Sequence, residues 1–210
     1  MTQSNLSGFG FSEEDTSPFV LARENLYGEL FGDRNTVNHE LQARVPHVDV
    51  YVFEPGYDGR DFFTLITGGM SDRPMRAPAD VACRRAEIVL YADRVDPQAV
   101  ELLRWLAHLV HDQSTWLSPG STMTNGQPPQ PIFEGSKLNC FVFLDSVVQP
   151  DAFLHDKLAI GGDPVDLLWV VPISEKEMHL IRNKGLDPFL DLLDANRHSH
   201  VLNALRRSYV

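Results

Sequence analysis

Two groups of residues in this sequence have types and spacings that chemistry can use. His108, His111 and Asp112 fall within "LAHLVHD", where imidazoles three residues apart offer two nitrogen ligands to a metal. The group lacks the glutamate and the i, i+4 histidine step of a zinc protease. Both imidazoles also fall opposite the apolar stripe of Leu103, Leu106 and Val110, so solvated surface histidines are the expectation. Ser71 and Asp72, in "GGMSDRPM", set a hydroxyl beside a carboxylate, but no histidine lies near in sequence to activate the serine. His198 and His200 stand near the C-terminus without a ligand pattern. There is no Gly-x-Ser-x-Gly elbow, no phosphate loop and no Gly-x-Gly-x-x-Gly turn. The expectation is a chain with no enzymatic activity, catalytic residue, metal or cofactor. The alternative is a hydrolase using Asp72, or His108, His111 and Asp112 with a metal.

Whatever these residues do, the rest of the chain must position them. Its 210 residues, 43% apolar, suffice for one substantial core. One domain over residues 17–210 is the economical reading, after a polar and flexible N-terminus at 1–16. The formal charge is −11, from 29 acidic against 18 basic residues, and no basic run exceeds a pair. That balance argues against nucleic acid or an anionic membrane as a partner. No apolar run approaches the roughly 20 residues a bilayer requires. The first residues lack the basic start and apolar stretch of a signal peptide, so a cytoplasmic location is expected. Cys83 and Cys140 are too few for a disulfide framework and read as reduced thiols.

Helix signals come at both ends and in the middle. Ser17 followed by Pro18 opens a helix with an apolar face through Phe19, Ala22 or Arg23, Leu26 and Leu30, with Val20, Tyr27 and Phe31 beside it, closed by Gly32. A second helix follows Asp96, its face carrying Val100, Leu103, Leu106, Ala107 and Val110. "ISEKEM" is a capping box on Ser174 and Glu177, with Ile173 and Met178 as its hydrophobic staple. Gly185 stops that helix and Asp187-Pro188 starts the last one. Between the helices lie strand-length runs at His47, Arg60, Arg85, Asn139 and Asp166, the first two forming a hairpin. Three of these runs are apolar on both alternating faces, which requires cover on both sides. The fold class expected is α/β (α+β): a mixed central β-sheet with helices packed on both faces, a three-layer sandwich.

Two irregular segments remain, and irregular backbone on a fixed scaffold is where binding residues tend to lie. One runs from Gly68 to about Arg84; the other, Ser114 to Lys137, carries four prolines and is too long for a plain connector, so it reads as wrapping the domain. In the first, Gly68 and Gly69 let a buried strand end in a sharp turn. Two arrangements suit the residues after the turn: Met70 and Met75 plug the core while Asp72 caps a turn, or the loop presents its atoms to another protein.

The stretch "HVDVYVFEPGYDGRDFFTLITGGMSDRPM" resembles the signature of the suppressor of fused family, in which a His-Val-Asp strand precedes an aromatic strand running into Thr-x-Gly-Met-Ser-Asp-x-Pro-Met. "AEIVLYA", "TWLSPGSTMTNGQPPQP", "VVPISEKEM" and the late "LLD" extend the similarity from about Leu26 to the C-terminus, with His155 to Asp163 outside it. The resemblance implies a suppressor-of-fused-like domain that binds a protein and catalyses nothing. Larger animal members clamp a transcription-factor peptide between two domains; this chain corresponds to one of them, and that ligand is not carried across. Stand-alone bacterial members imply an immunity protein that neutralises a toxin, a role the acidic charge suits. The partner-binding residues this implies are Gly68, Gly69, Met70, Ser71, Asp72, Pro74, Met75 and Trp116.

Overall fold

The computed structural model of the chain describes residues 18–210, so the N-terminal stretch 1–16 and the Ser17 cap lie outside the described residues. Helix α1 (Pro18–Phe31) ends at Gly32, which takes φ +91° while its amide returns to the Gly28 carbonyl at 2.9 Å. A residue with a Cβ resists that left-handed geometry. Then come strands β1 (Asn35–Asn38), β2 (Asp49–Phe53), β3 (Phe63–Gly68) and β4 (Arg85–Ala92). Helix α2 (Pro97–Asp112) comes next, capped by the Asp96 side chain accepting from the Gln98 amide at 2.8 Å. Beyond it are β5 (Thr122–Thr124), β6 (Cys140–Asp145), the short α3 (Leu154–Lys157), β7 (Ala159–Ile160) and β8 (Asp163–Ile173). Helices α4 (Glu175–Lys184) and α5 (Asp187–Ala195) complete the order.

The strands form one eight-stranded mixed sheet in the order β1-β2-β3-β4-β8-β6-β5, with β7 paired onto β8. The β2–β3 hairpin expected from Pro55-Gly56 and Asp58-Gly59 is present, with Val52 opposite Leu65. Among the named strand pairings, β4 with β8 is the parallel one, with Val89 opposite Trp169. The short edge strands β1 and β5 are too polar for sequence periodicity to mark.

Alternation along the strands divides the core into two layers. Tyr51, Ile66, Val89, Val142 and Trp169 face Leu26, Leu30 and Phe31 of α1, Met178 and Ile181 of α4, and Phe189 and Leu193 of α5. Val50, Leu65, Ile88, Phe141 and Val170 face Val100, Leu103, Leu106 and Val110 of α2. Fully burying a side chain such as Leu30 or Leu103 stabilises by roughly 1.5–3 kcal/mol. The three-layer sandwich is therefore the observed architecture. The proline-rich segment wraps the α2 side, with Leu117, Ile132 and Phe133 buried in that layer.

On the inner face of α1 the expected choice between Ala22 and Arg23 resolves to Arg23, which is 2% exposed, while Phe19 is 40% exposed. An arginine on a core-facing helix position requires anionic partners. They lie at the rim of the sheet.

Candidate functional site

At the end of β3 the ladder with β4 stops at Ile66 opposite Val89. The next position belongs to Thr67, whose Oγ1 accepts from the Ile88 amide at 2.8 Å and donates to Glu87 Oε2 at 2.6 Å. Glu87 is completely buried. Its other oxygen, Oε1, accepts from the Gly69 amide at 3.0 Å, the Ser71 amide at 3.1 Å and the Ser71 hydroxyl at 2.6 Å. The chain thus closes around a carboxylate. Arg23 reaches in from α1, with Nη1 3.8 Å from Glu87 Oε1 and 2.5 Å from Asp72 Oδ1. Tyr27, one turn on, donates to the Thr67 carbonyl at 2.7 Å.

Burial is the largest influence on Glu87 and pushes its carboxyl above the ordinary carboxylate range; Arg23 opposes it, as do Ser71, Thr67 and the Gly69 amide. Arg23 itself is raised, because the charges of Glu87 and Asp72 outweigh the desolvation that would lower it.

Both glycines are required by close approach. A Cβ on Gly69 would stand 1.9 Å from the His47 carbonyl oxygen, and its φ is +122°. A Cβ on Gly68 would stand 2.5 Å from the Tyr51 ring. Beyond them the loop is pinned at further points. His111 Nε2 lies 3.1 Å from the Met70 carbonyl, Arg85 Nη1 donates to the Ser71 and Asp72 carbonyls at 2.7 and 3.1 Å, and the Met75 amide donates to the Arg84 carbonyl at 2.7 Å.

These contacts sort the eight expected binding residues. Gly68, Gly69, Met70, Ser71 and Met75 are buried, Met70 and Met75 as plugs over the α2 layer at 1% and 4% exposure. Asp72 is half-buried against Arg23, while Pro74 and Trp116 are exposed. Trp116, distant in sequence, stands one residue before Leu117, whose amide donates to Met75 Sδ at 3.4 Å, so the backbone that carries it runs past the loop. Exposed Arg73 and Arg76, absent from the expected set, complete the outer surface.

The histidine group is a correction. His108 is 3% exposed, not solvated, and its Nε2 lies 2.8 Å from Oε1 of buried Glu40. His111 turns to Met70, and Asp112 pairs with Arg44 at 2.7 Å. The helix places the three close in sequence but aims them at three different partners. Among the described residues no group of three or more His, Cys, Asp or Glu is arranged to hold a metal ion. Around Glu40 stands a polar chain that spacing could not show: Glu40 accepts from the Val48 amide, and Asp49 bridges His39 and His47 at 3.0 Å each. His198 and His200 line an apolar groove of about 500 Å³ with Leu144, Val147, Trp169 and Leu190. Ser71 is committed to Glu87 and, among the described residues, has no imidazole partner. Cys83 and Cys140 are free thiols. Among the described residues, no helix is long and apolar enough to cross a membrane.

A mixed sheet covered by helices on both faces, with a glycine-methionine rim closed on a buried glutamate, defines a specific class of α+β domain. The model of the suppressor of fused protein (SUFU) family matches residues 44–207, and the chain belongs to that family. Its fold is similar to that of a SUFU homologue from Neisseria gonorrhoeae, with a TM-score of 0.63 and 16% identity over 91% of this chain and 97% of that one. A chain of the Sufu–Fu complex aligns with a TM-score of 0.65 and 13% identity, over 91% of this chain and 92% of that chain. Drosophila Suppressor of Fused aligns with a TM-score of 0.66 and 14% identity, over 95% of this chain but 54% of its own, so the chain spans about half of that protein. No curated protein sequence matches the chain.

Proposed function

We propose that this chain is a protein-binding module without enzymatic activity, and that its binding face is the outer surface of the rim formed by Asp72, Pro74 and Trp116 over buried Gly68, Gly69, Met70, Ser71 and Met75. The observation that carries this reading is the bracing of the rim. Glu87 takes four hydrogen bonds from Thr67, Gly69 and Ser71, and Arg85 and His111 hold the loop's carbonyls. A surface fixed before its partner arrives avoids the ordering entropy that weakens mobile loops. The Sufu–Fu complex, a structural relative, supports protein binding as the use of the fold.

The finer reading is an immunity protein that neutralises a bacterial toxin in the cytoplasm by direct binding. It is supported by the likeness to a SUFU homologue from Neisseria gonorrhoeae, matched over 97% of that chain, and by the net charge of −11, which would speed encounter with a basic toxin domain.

The test is affinity capture of the tagged protein from its own cells, beside a Pro74→Ala, Trp116→Ala variant with an unchanged circular dichroism spectrum. One stoichiometric partner held by the native protein and lost by the variant supports the reading. An empty native capture, or a partner indifferent to both substitutions, removes it. Coexpression with toxin domains encoded nearby tests the immunity role: growth protection is expected, and failure to protect against any of them excludes it.

A further inference from the structure

Among the described residues, seven of the fourteen arginines, Arg23, Arg34, Arg44, Arg60, Arg85, Arg104 and Arg206, pair with a carboxylate. With acidic residues in excess, pairing is the expected state. The rim gathers arginines that depart from it. Residues 73–85 hold four arginines against one aspartate, Asp80. Of the four, Arg73, Arg76 and Arg84 are exposed, and among the described residues none of them has an ion-pair partner.

Their backbone positions are also close together: the Met75 amide bonds the Arg84 carbonyl, and Arg76 and Arg73 lie one residue after and two before Met75. Asp72, beside Arg73 in sequence, is already engaged by Arg23, and Asp163 by Arg85. Trp116, 37% exposed, precedes Leu117, whose amide bonds the Met75 side chain within this basic segment.

We propose that the rim docks an acidic segment of a protein partner, whose carboxylates bind Arg73, Arg76 and Arg84 while a neighbouring apolar side chain lies on the Trp116 indole. The inference rests on the protein-binding reading above and adds the chemistry of what is bound. A guanidinium presents a planar fork that matches a carboxylate with two hydrogen bonds, and arginine and tryptophan are the residues most enriched where interface energy concentrates. The surrounding negative charge supplies specificity. A short acidic segment fits within the ~8 Å over which charges act at physiological salt, whereas a long polyanion would run onto repelling surface. The long-range field and the contact chemistry thus differ in sign: the whole molecule attracts basic partners, and the rim grips an acidic stretch on them.

The probe is a fluorescein-labelled peptide of alternating Glu and Gly around a central Phe, followed by fluorescence anisotropy beside its Lys-for-Glu counterpart and a labelled single-stranded oligonucleotide. The acidic peptide is expected to bind and the lysine peptide not. Arg73→Glu, Arg76→Glu, Arg84→Glu, made together at exposed and unpaired positions, should weaken acidic-peptide binding at least ~10-fold and gain the lysine peptide. Trp116→Ala should weaken binding with the arginines intact. Equal binding of both peptides, or no effect of the triple substitution, overturns the proposal, and tighter binding of the oligonucleotide replaces it with nucleic-acid recognition. The two readings fail separately. A native partner that the triple variant still captures leaves protein binding standing and removes the acidic segment; an empty native capture removes the protein-binding reading itself, whatever the peptides do.

Discussion

Arg206 and Glu177 meet in a two-pronged pair, Nη1 to Oε1 at 2.7 Å and Nη2 to Oε2 at 3.1 Å, with both side chains buried. The same carboxylate takes the Ser174 amide at 2.7 Å as half of the capping box and the Tyr209 amide at 3.0 Å. Burial alone would raise the Glu177 carboxyl; the hydrogen bonds and charge of Arg206, with the two amides, outweigh it and hold it below the ordinary range. One side chain therefore starts α4 and anchors the C-terminal tail.

Replacing Arg206 by alanine should leave that carboxylate buried and uncompensated, a loss of about 3–5 kcal/mol. Urea denaturation measures it, and limited proteolysis should cut the variant first in the tail after residue 196. An unchanged urea midpoint would contradict the anchoring role.

Gly69→Ala should be among the most damaging small substitutions. The methyl group would meet the His47 carbonyl oxygen at 1.9 Å in a backbone region L-residues avoid, so a loss of about 3 kcal/mol or more is expected. Gly161→Ala is the control: it shares a positive φ of +61° but faces open space, and should cost about 1 kcal/mol.

Glu87→Gln places an amide NH₂ where four hydrogen-bond donors and Arg23 require acceptors. Stability should fall by about 3 kcal/mol or more, and hydrogen exchange should quicken at the Gly69 and Ser71 amides before elsewhere. Retained protection at those two amides would show that the rim does not depend on Glu87.

Acid sensitivity should begin with His198. Its Nδ1 lies 2.8 Å from the Tyr209 oxygen; burial first, then the Arg206 charge, pull it from 6.5 down to about 4. Between those values the unfolded chain holds more protons. The stability His198 contributes is therefore complete above about pH 6.5 and lost as pH falls toward about 4. His111 and His200, also lowered chiefly by burial, act in the same direction, whereas the raised Glu87 acts in the opposite one. The clean readout is a difference: native minus His198→Phe stability should rise with pH across that window and be flat above it.

Neither thiol should react readily in the folded protein. Burial lifts both Cys83 and Cys140 from 9.0 to about 11, cutting the thiolate fraction by roughly 100-fold. Modification by iodoacetamide at pH 8 should be slow until urea is added. Fast labelling of Cys83, the more exposed of the two, would count against the packing at the start of β4.

Local signals carried much of the fold into the sequence. Gly32, the Asp96 cap, the Ser174 and Glu177 box and the β2–β3 turn are each set by neighbours a few residues apart. Runs apolar on both faces, such as "CFVFL", announced the two covering layers. The buried polar groups were illegible for the opposite reason. His108 finds Glu40 from 68 positions away, and Arg60 finds Asp151 across 91, so no window of sequence contains both partners. His108 was misplaced because helical periodicity ranks faces by apolarity, and a histidine with a buried carboxylate breaks that ranking. At the rim, Gly68 to Met75 was visible as a turn, but which atoms it shows depends on Glu87 lying beneath it.

The parallel seam between β4 and β8 has a consequence for how the protein is born. Strands β1 to β4 are hairpin neighbours and can assemble as soon as residue 92 leaves the ribosome, yet the strand that must lie against β4 begins only at residue 163. For the whole interval β4 offers an open, strongly apolar edge, the sort on which chains stick to one another. The nascent chain is therefore most in need of a chaperone between those two points of synthesis.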